Sequence, residues 1–346
     1  MEIGIYSLAD LGPDPLTGTT ISAKQRIQEL IQAAKLADEA GLDIFGVGEH
    51  HRLDYAVSAP AIVLTAIAQV TKRIRLTSTT TVLNTIDPVR LYEDFATLDL
   101  VSDGRAEIVA GRGAFVESFP LFGYDVKDYD ALFEEHLHLL LQLNEAENVT
   151  WKGQFRPSLQ HADIAPRSEQ ERIPIWVGVG GTPESAIRAG SLGTNLALAI
   201  LGGDPIRFLP FVELYRRAAV EAGHRLDQMK VAVTGHMHLA KTTEQAIEQF
   251  YPYYVNYWGY VNKQRGMMSH ISRESYNRMV APDTALFVGS SQQIVEKILH
   301  QYELYGHQRF VAQLDIGGLP FSKVAAQIEQ LATEVAPAVR KAINNS

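Results

Sequence analysis

Apolar residues along the chain fall into two alternating textures. Short runs rich in branched and aromatic side chains read as strands at Ile3–Ser7, Leu42–Gly48, Ile74–Leu83, Ala106–Gly111, Pro174–Val179, Asn195–Leu201, Val231–Ala240 and Phe310–Ile316. Within the third, Thr77-Ser78-Thr79-Thr80-Thr81-Val82 is dense in β-branched residues, whose stiff side chains favour extended backbone. Between these runs the apolar positions recur at helical spacing. After Ser22 they are Ile27, Leu30, Ile31 and Ala34, with Gly41 placed to cap the helix. Pro60–Val70 carries Ile62, Val63, Ala66, Ile67 and Val70. Pro88 and Pro183 open helices in the first turn, where a missing N–H costs nothing. Tyr129–Leu143 and Pro205–Ala222 continue the series, and a last helix from Ser322 sets Val324, Ile328, Leu331, Val335 and Val339 on one face.

Eight strand–helix units in 346 residues predict a closed (β/α)8 TIM barrel rather than an open doubly wound sheet. An open sheet would carry a glycine-rich fingerprint after its first strand, and Leu8-Ala9-Asp10-Leu11-Gly12-Pro13 has none. A single domain spanning 1–346 is expected, with insertions at the C-terminal face at about 144–171 and 250–283. The second insertion holds Tyr251, Tyr253, Tyr254, Tyr257, Trp258, Tyr260, Arg265, Met267 and Met268. Such aromatic density either covers an apolar ligand or packs a long excursion against the barrel.

Composition narrows the classes. A hydrophobic fraction of 46% and a charged fraction of 21% are ordinary for a globular chain. The absence of cysteine excludes disulfides, thiolate catalysis and Cys-ligated zinc. A net charge of −9 without a basic cluster argues against nucleic acid. The opening Met1–Tyr6 has no basic run, and nowhere do about 18 apolar residues run together, so a soluble cytoplasmic protein with no membrane partner is expected.

In a parallel α/β barrel the chemistry gathers where strands empty into loops. Strand two ends in Gly48-Glu49-His50-His51. An imidazole beside a carboxylate there either closes a loop hydrogen bond or moves protons near neutral pH. Strand three ends in Thr79, Thr80 and Asn84, strand four in Gly111-Arg112-Gly113, and strand five in Gly178-Val179-Gly180-Gly181-Thr182 ahead of a helix. That last run is either a plain turn with an N-cap or a phosphate cradle aided by Arg112. In Gly113–Phe119, Ser118 either touches a ligand or lies in a loop whose aromatics cover the rim. On strand seven, His236 and His238 point to one side, as core histidines or, for His236, as a substrate-pocket candidate. A metal-dependent hydrolase would draw on His236, His238, His50 and Asp315, but in that superfamily the His pair sits on strand one, which here ends Tyr6-Ser7.

Taken in order, Gly48-Glu49-His50-His51, Arg75–Val82 with Asp87-Pro88-Val89-Arg90, Leu98–Arg105, Gly111-Arg112-Gly113 with Phe122-Gly123, Pro174–Gly178 with Gly180-Gly181-Thr182, and Val288-Gly289 resemble the bacterial-luciferase-like flavin-dependent monooxygenases over nearly the whole chain. The resemblance implies reduced FMN as co-substrate at the barrel mouth, with the deazaflavin F420 used in some branches. It implies a C4a-peroxyflavin that oxidises a small organic substrate with O2. It assigns His50 to the oxygen intermediate with Glu49 orienting it, and gives His51 a structural role. Thr79 and Thr80 would hold a non-prolyl cis peptide beneath the flavin, and Arg112, Gly113, Gly180, Gly181 and Thr182 would bind the cofactor, with no metal. A separate flavin reductase and a homodimer formed by the helices after strands two and three are the expected partners. The alternatives are a non-catalytic flavin-binding homologue and the metal-dependent hydrolase.

Overall fold

The computed structural model describes residues 1–113, 115–264 and 271–345. Eight parallel strands, β1 (Glu2–Ser7), β2 (Ile44–Val47), β3 (Arg75–Ser78), β4 (Ala106–Gly111), β5 (Ile175–Val179), β6 (Asn195–Ala199), β7 (Val231–Leu239) and β8 (Arg309–Gln313), pair in sequence order, and β8 returns to β1 to close the barrel. Each coincides with a run predicted above. Two residues, Thr81–Val82, resume the line of β3 after a break and pair with β4 at Ala110 and Gly111.

The surrounding helices follow the periodicity. In α1 (Ala23–Ala40), Ser22 caps the first turn by accepting from the Gln25 N–H, and Gly41 ends the helix at φ 88°, a left-handed conformation natural to glycine. The helices α2 (Pro60–Ala68) and α3 (Pro88–Val101) both begin at proline, and α4 (Tyr129–Glu145), α5 (Pro183–Ser191) and α6 (Leu209–Glu221) continue round the barrel. Their inner faces bury residues such as Leu30, Leu64, Ile67, Phe95 and Leu140 against the strands. Truncating one such side chain to Ala ordinarily costs about 2–5 kcal/mol.

The predicted insertions take definite forms. Within 144–171 an antiparallel hairpin pairs Asn148–Trp151 with Leu159–Asp163. The aromatic segment is largely helical: α7 (Thr243–Gln264) leaves β7 and carries Pro252 inside it, so the excursion begins earlier than residue 250. Arg265, Met267 and Met268 lie outside the described residues. A further helix, α8 (Ser291–Tyr305), precedes β8, and α9 (Phe321–Gln330) begins the C-terminal helical run. Among the described residues no helix is long and apolar enough to cross a membrane.

Opposite the C-terminal ends of the strands, the bottom of the barrel is stoppered by charge. The Arg309 guanidinium donates to both Glu107 oxygens at 2.5 and 3.1 Å and to Glu2 at 2.8 Å. Arg75 also donates to Glu107, as does the Trp176 indole N–H at 3.0 Å. Arg309 in turn lies 4.2 Å from the Trp176 ring centre. Burial alone would raise the Glu107 pKa, but the charges and hydrogen bonds of Arg309 and Arg75 outweigh it and hold the carboxyl below its usual range.

Candidate active site

The C-terminal ends of the strands open into a cavity of about 500 Å³, lined by Glu49, His50, His51, Thr79, Thr80, Arg112, Gly113, Ser118, Gly180, Gly181 and Thr182 together with apolar floor residues such as Val109 and Ala197. Most of the residues singled out at strand ends are here, but Asn84, His236 and His238 are not. His236 is buried on β7 beneath α7, with the rings of Tyr254, Tyr257 and Trp258 at 6.2, 5.4 and 6.1 Å. His238 stacks on Phe250 at 4.9 Å. The aromatic helix thus packs over the end of β7. Among the described residues no three His, Cys, Asp or Glu side chains converge as a metal site, which leaves the hydrolase alternative without a ligand set.

The loop after β2 shows how His50 and Glu49 divide their work. The loop is pinned to the loop after β1: Leu11 N–H donates to Asp54, Ala56 N–H to Ala9, and Asp10 bridges Tyr55. His50 stacks on Tyr55, with ring centres 3.9 Å apart and planes at 8°, and meets the Phe115 edge at 5.8 Å. Its Nδ1 is buried without a partner. Burial lowers the His50 pKa to about 4, with the Asp54 carboxylate countering only part of the effect. The ring is therefore neutral at pH 7. Glu49, expected to orient His50, makes no direct hydrogen bond to its ring. One Glu49 oxygen lies 2.8 Å from His51 Nε2 and the other accepts the Val82 N–H at 3.0 Å. His51 thus tethers Glu49.

Thr79 and Thr80 follow β3, next to the end of β2, and are joined by a cis peptide as expected. Glycines make room for them: a Cβ on Gly46 would stand 2.5 Å from Thr79 Oγ1, and one on Gly111 would stand 2.5 Å from Thr80 Oγ1. The two threonines therefore occupy space that any larger residue on β2 or β4 would fill.

At the far side, Arg112 follows β4 and reaches the N-terminus of α5. Its guanidinium donates to Thr182 and Ser185 hydroxyls, each at 2.9 Å, and to Asp130 at 2.6 Å. It lies 5.3 Å from the Tyr129 ring, whose hydroxyl donates to the Gly113 carbonyl at 3.0 Å. Gly180 and Gly181 are exposed, with no atom within 4 Å of a Cβ built on either, so backbone N–H groups there can be approached closely. Ser185 and Tyr129 were missed in the sequence. Ser185 had a signal, since it stands three residues after the N-cap Thr182 and shares its first turn. Ala114 lies outside the described residues.

This arrangement fits a flat, partly polar ring with an anionic tail. The floor is apolar, Thr79 Oγ1, Ser118 Oγ and His50 Nδ1 are buried and unpartnered, and the Arg112–Thr182–Ser185 cluster offers donors where a helix N-terminus adds a favourable dipole.

Comparison with known proteins agrees. The family model for luciferase-like monooxygenases matches residues 1–308. The oxygenase component of a flavin-dependent trigonelline monooxygenase from Acinetobacter baylyi is 24% identical over 342 residues, covering 91% of this chain and 90% of that one. Among solved structures, the oxygenating constituent of 3,6-diketocamphane monooxygenase from Pseudomonas putida, in complex with FMN, superposes with a TM-score of 0.78 at 20% identity over 97% of this chain and 98% of that one. An F420-dependent secondary alcohol dehydrogenase superposes at 0.73 with 19% identity over 98% and 99%.

Proposed function

Because the chain belongs to the luciferase-like monooxygenase family, we propose that it oxidises a small organic molecule with O2, holding reduced FMN in the cavity at the barrel mouth. The observation that carries this reading is the polarity of that cavity: a guanidinium–hydroxyl cluster at one side, an apolar floor, and a neutral buried imidazole at the other. When bound, reduced flavin supplies the electrons with which one oxygen atom of O2 is transferred to a substrate.

Arg112, Thr182, Ser185 and the Gly180–Gly181 backbone would hold the phosphate, and Thr79, Thr80, Val109 and Ala197 would face the ring. His50 is neutral, so it can take up a proton at an unpartnered nitrogen or donate its N–H as a hydrogen bond. The charged form it avoids would be costly in this buried position. Glu49 is a positioning residue that acts through His51 and Val82 N–H to fix the loop bearing His50. A separate reductase supplies the reduced flavin, and the working protein is a cytoplasmic homodimer.

FMN is preferred to F420 because one relative similar over nine-tenths of the chain is flavin-dependent, while an F420-dependent protein with the same fold makes the second cofactor the alternative to test. Anaerobic titration with FMN, reduced FMN and F420, followed by oxygen, separates the readings. Tight binding of reduced FMN with oxygen uptake supports the proposal. Selective F420 binding would replace the cofactor, and failure to bind any of the three would overturn the reading.

A further inference from the structure

Two carboxylates line the cavity among the described residues, Glu49 and Glu117. Glu49 has both oxygens engaged, by His51 and by the Val82 N–H. Glu117 is different: its Oε2 is buried and has no partner. Beside it Ser118 is 2% exposed, lines the same cavity, and leaves its Oγ unpartnered. No side chain of the site itself compensates Glu117. Arg112 is the one Lys or Arg among the described lining residues, and its guanidinium is committed to Asp130, Thr182 and Ser185. Arg52, at the rim, lies 5.0 Å from the Phe115 ring centre and is held by Asp54 at 3.0 Å.

A carboxylate oxygen withdrawn from water without a partner is unfavourable, and a ligand that supplies a positive charge or a charged N–H relieves that cost on binding. FMN is a poor candidate for this position, because its phosphate is anionic and the donors suited to it stand with Arg112. Leu8, Val82 and Leu201 give the same cavity an apolar stretch of wall.

Resting on the flavin reading above, we propose that Glu117 and Ser118 form the substrate-recognition point of the cavity and select a molecule that carries a positively charged nitrogen, an ammonium or N-heterocyclic cation, on an apolar body. Glu117 supplies the countercharge and Ser118 a hydrogen bond to a neighbouring polar atom of the same molecule.

The test uses an isosteric pair, benzyltrimethylammonium and neopentylbenzene, which differ in charge and scarcely in shape, with phenylacetate as the anionic control. Each is titrated by calorimetry into the protein with and without FMN, for the wild type and for Glu117→Gln and Ser118→Ala. The expected result is that the cation binds at least about tenfold tighter than its neutral isostere, that Glu117→Gln abolishes the preference, and that FMN affinity is unchanged in that variant. Ser118→Ala, which keeps the carboxylate, should retain the preference. Equal binding of cation and isostere, tighter binding of phenylacetate, a preference that survives Glu117→Gln, or loss of FMN affinity in Glu117→Gln would each overturn the proposal. FMN binding with no charge preference sinks this inference alone, whereas failure of the wild type to bind FMN sinks the flavin reading and leaves the charge preference to be read from the flavin-free titrations.

Discussion

Glu49 reaches past its neighbour His50 to bond His51, with Oε1 2.8 Å from the His51 Nε2. One histidine of the adjacent pair is thereby spent on architecture, and the other lines the cavity with its Nδ1 unpartnered. The two should separate cleanly under mutation.

Replacing His50 by Ala is expected to lower turnover by about 10²–10⁴-fold, the range for loss of a proton-handling side chain, while FMN affinity shifts little. Steady-state rates alongside a flavin titration check both. Unchanged turnover would remove His50 from the chemistry.

Glu49→Gln and His51→Ala should each cost roughly 1–3 kcal/mol, since each leaves a buried polar partner unsatisfied. The double variant should cost less than the sum, because both changes break one interaction. Urea denaturation of the three variants measures the coupling, and strict additivity would refute it.

The phosphate assignment predicts a contrast between two flavins. Wild-type protein should prefer FMN to riboflavin by about 10–100-fold, the ratio expected for hydrogen bonds to a charged group, and Arg112→Ala should erase the preference with riboflavin affinity nearly unchanged. If Arg112→Ala weakens both flavins equally, the guanidinium serves the fold rather than the phosphate.

Acid should destabilise the protein through its buried imidazoles. Burial lowers the pKa of His236 to about 3 and of His50 and His238 to about 4, against an unfolded value of 6.5. Between those limits the unfolded chain binds more protons than the folded one, so stability falls as pH drops below about 6.5. Asp10, raised by burial to about 7, acts in the opposite sense, so the comparison is between two proteins that share it. His236→Phe, placed among Tyr254, Tyr257 and Trp258, should reduce the acid-side slope by about one proton, roughly 1.4 kcal/mol per pH unit. Denaturation midpoints at a series of pH values test this, and parallel curves would contradict it.

At the other end of the barrel, Glu107→Ala should destabilise by about 3–5 kcal/mol, because it removes the buried partner of Arg309 and leaves that charge to Glu2 alone, while leaving FMN affinity in the surviving folded fraction unchanged. A loss under about 1 kcal/mol by urea denaturation would show the stopper to be dispensable.

The barrel was legible because each strand is an apolar run bounded by turn residues, and most of the helices between them keep their period. The cavity followed from listing strand ends. The partner of Glu49 was not read from Glu-His-His as a string, although in extended chain residues 49 and 51 share a side and residue 50 faces away, a parity that would have paired Glu49 with His51. The helical nature of Thr243–Gln264 was hidden by Pro252 and by aromatic residues of modest helix propensity, and its fit against β7 is what covers His236. The grouping of Ser185 with Arg112 needed tertiary structure, since 73 positions separate them.

The knot of Arg309, Glu107, Glu2, Arg75 and Trp176 gives the barrel a closed floor, so the cavity communicates with solvent through its mouth. If the proposals above hold, a vessel with one opening would impose a queue: a ring lying against Val109 and Ala197 would have to arrive before a molecule resting at Glu117, and the product would have to depart before the ring could be exchanged.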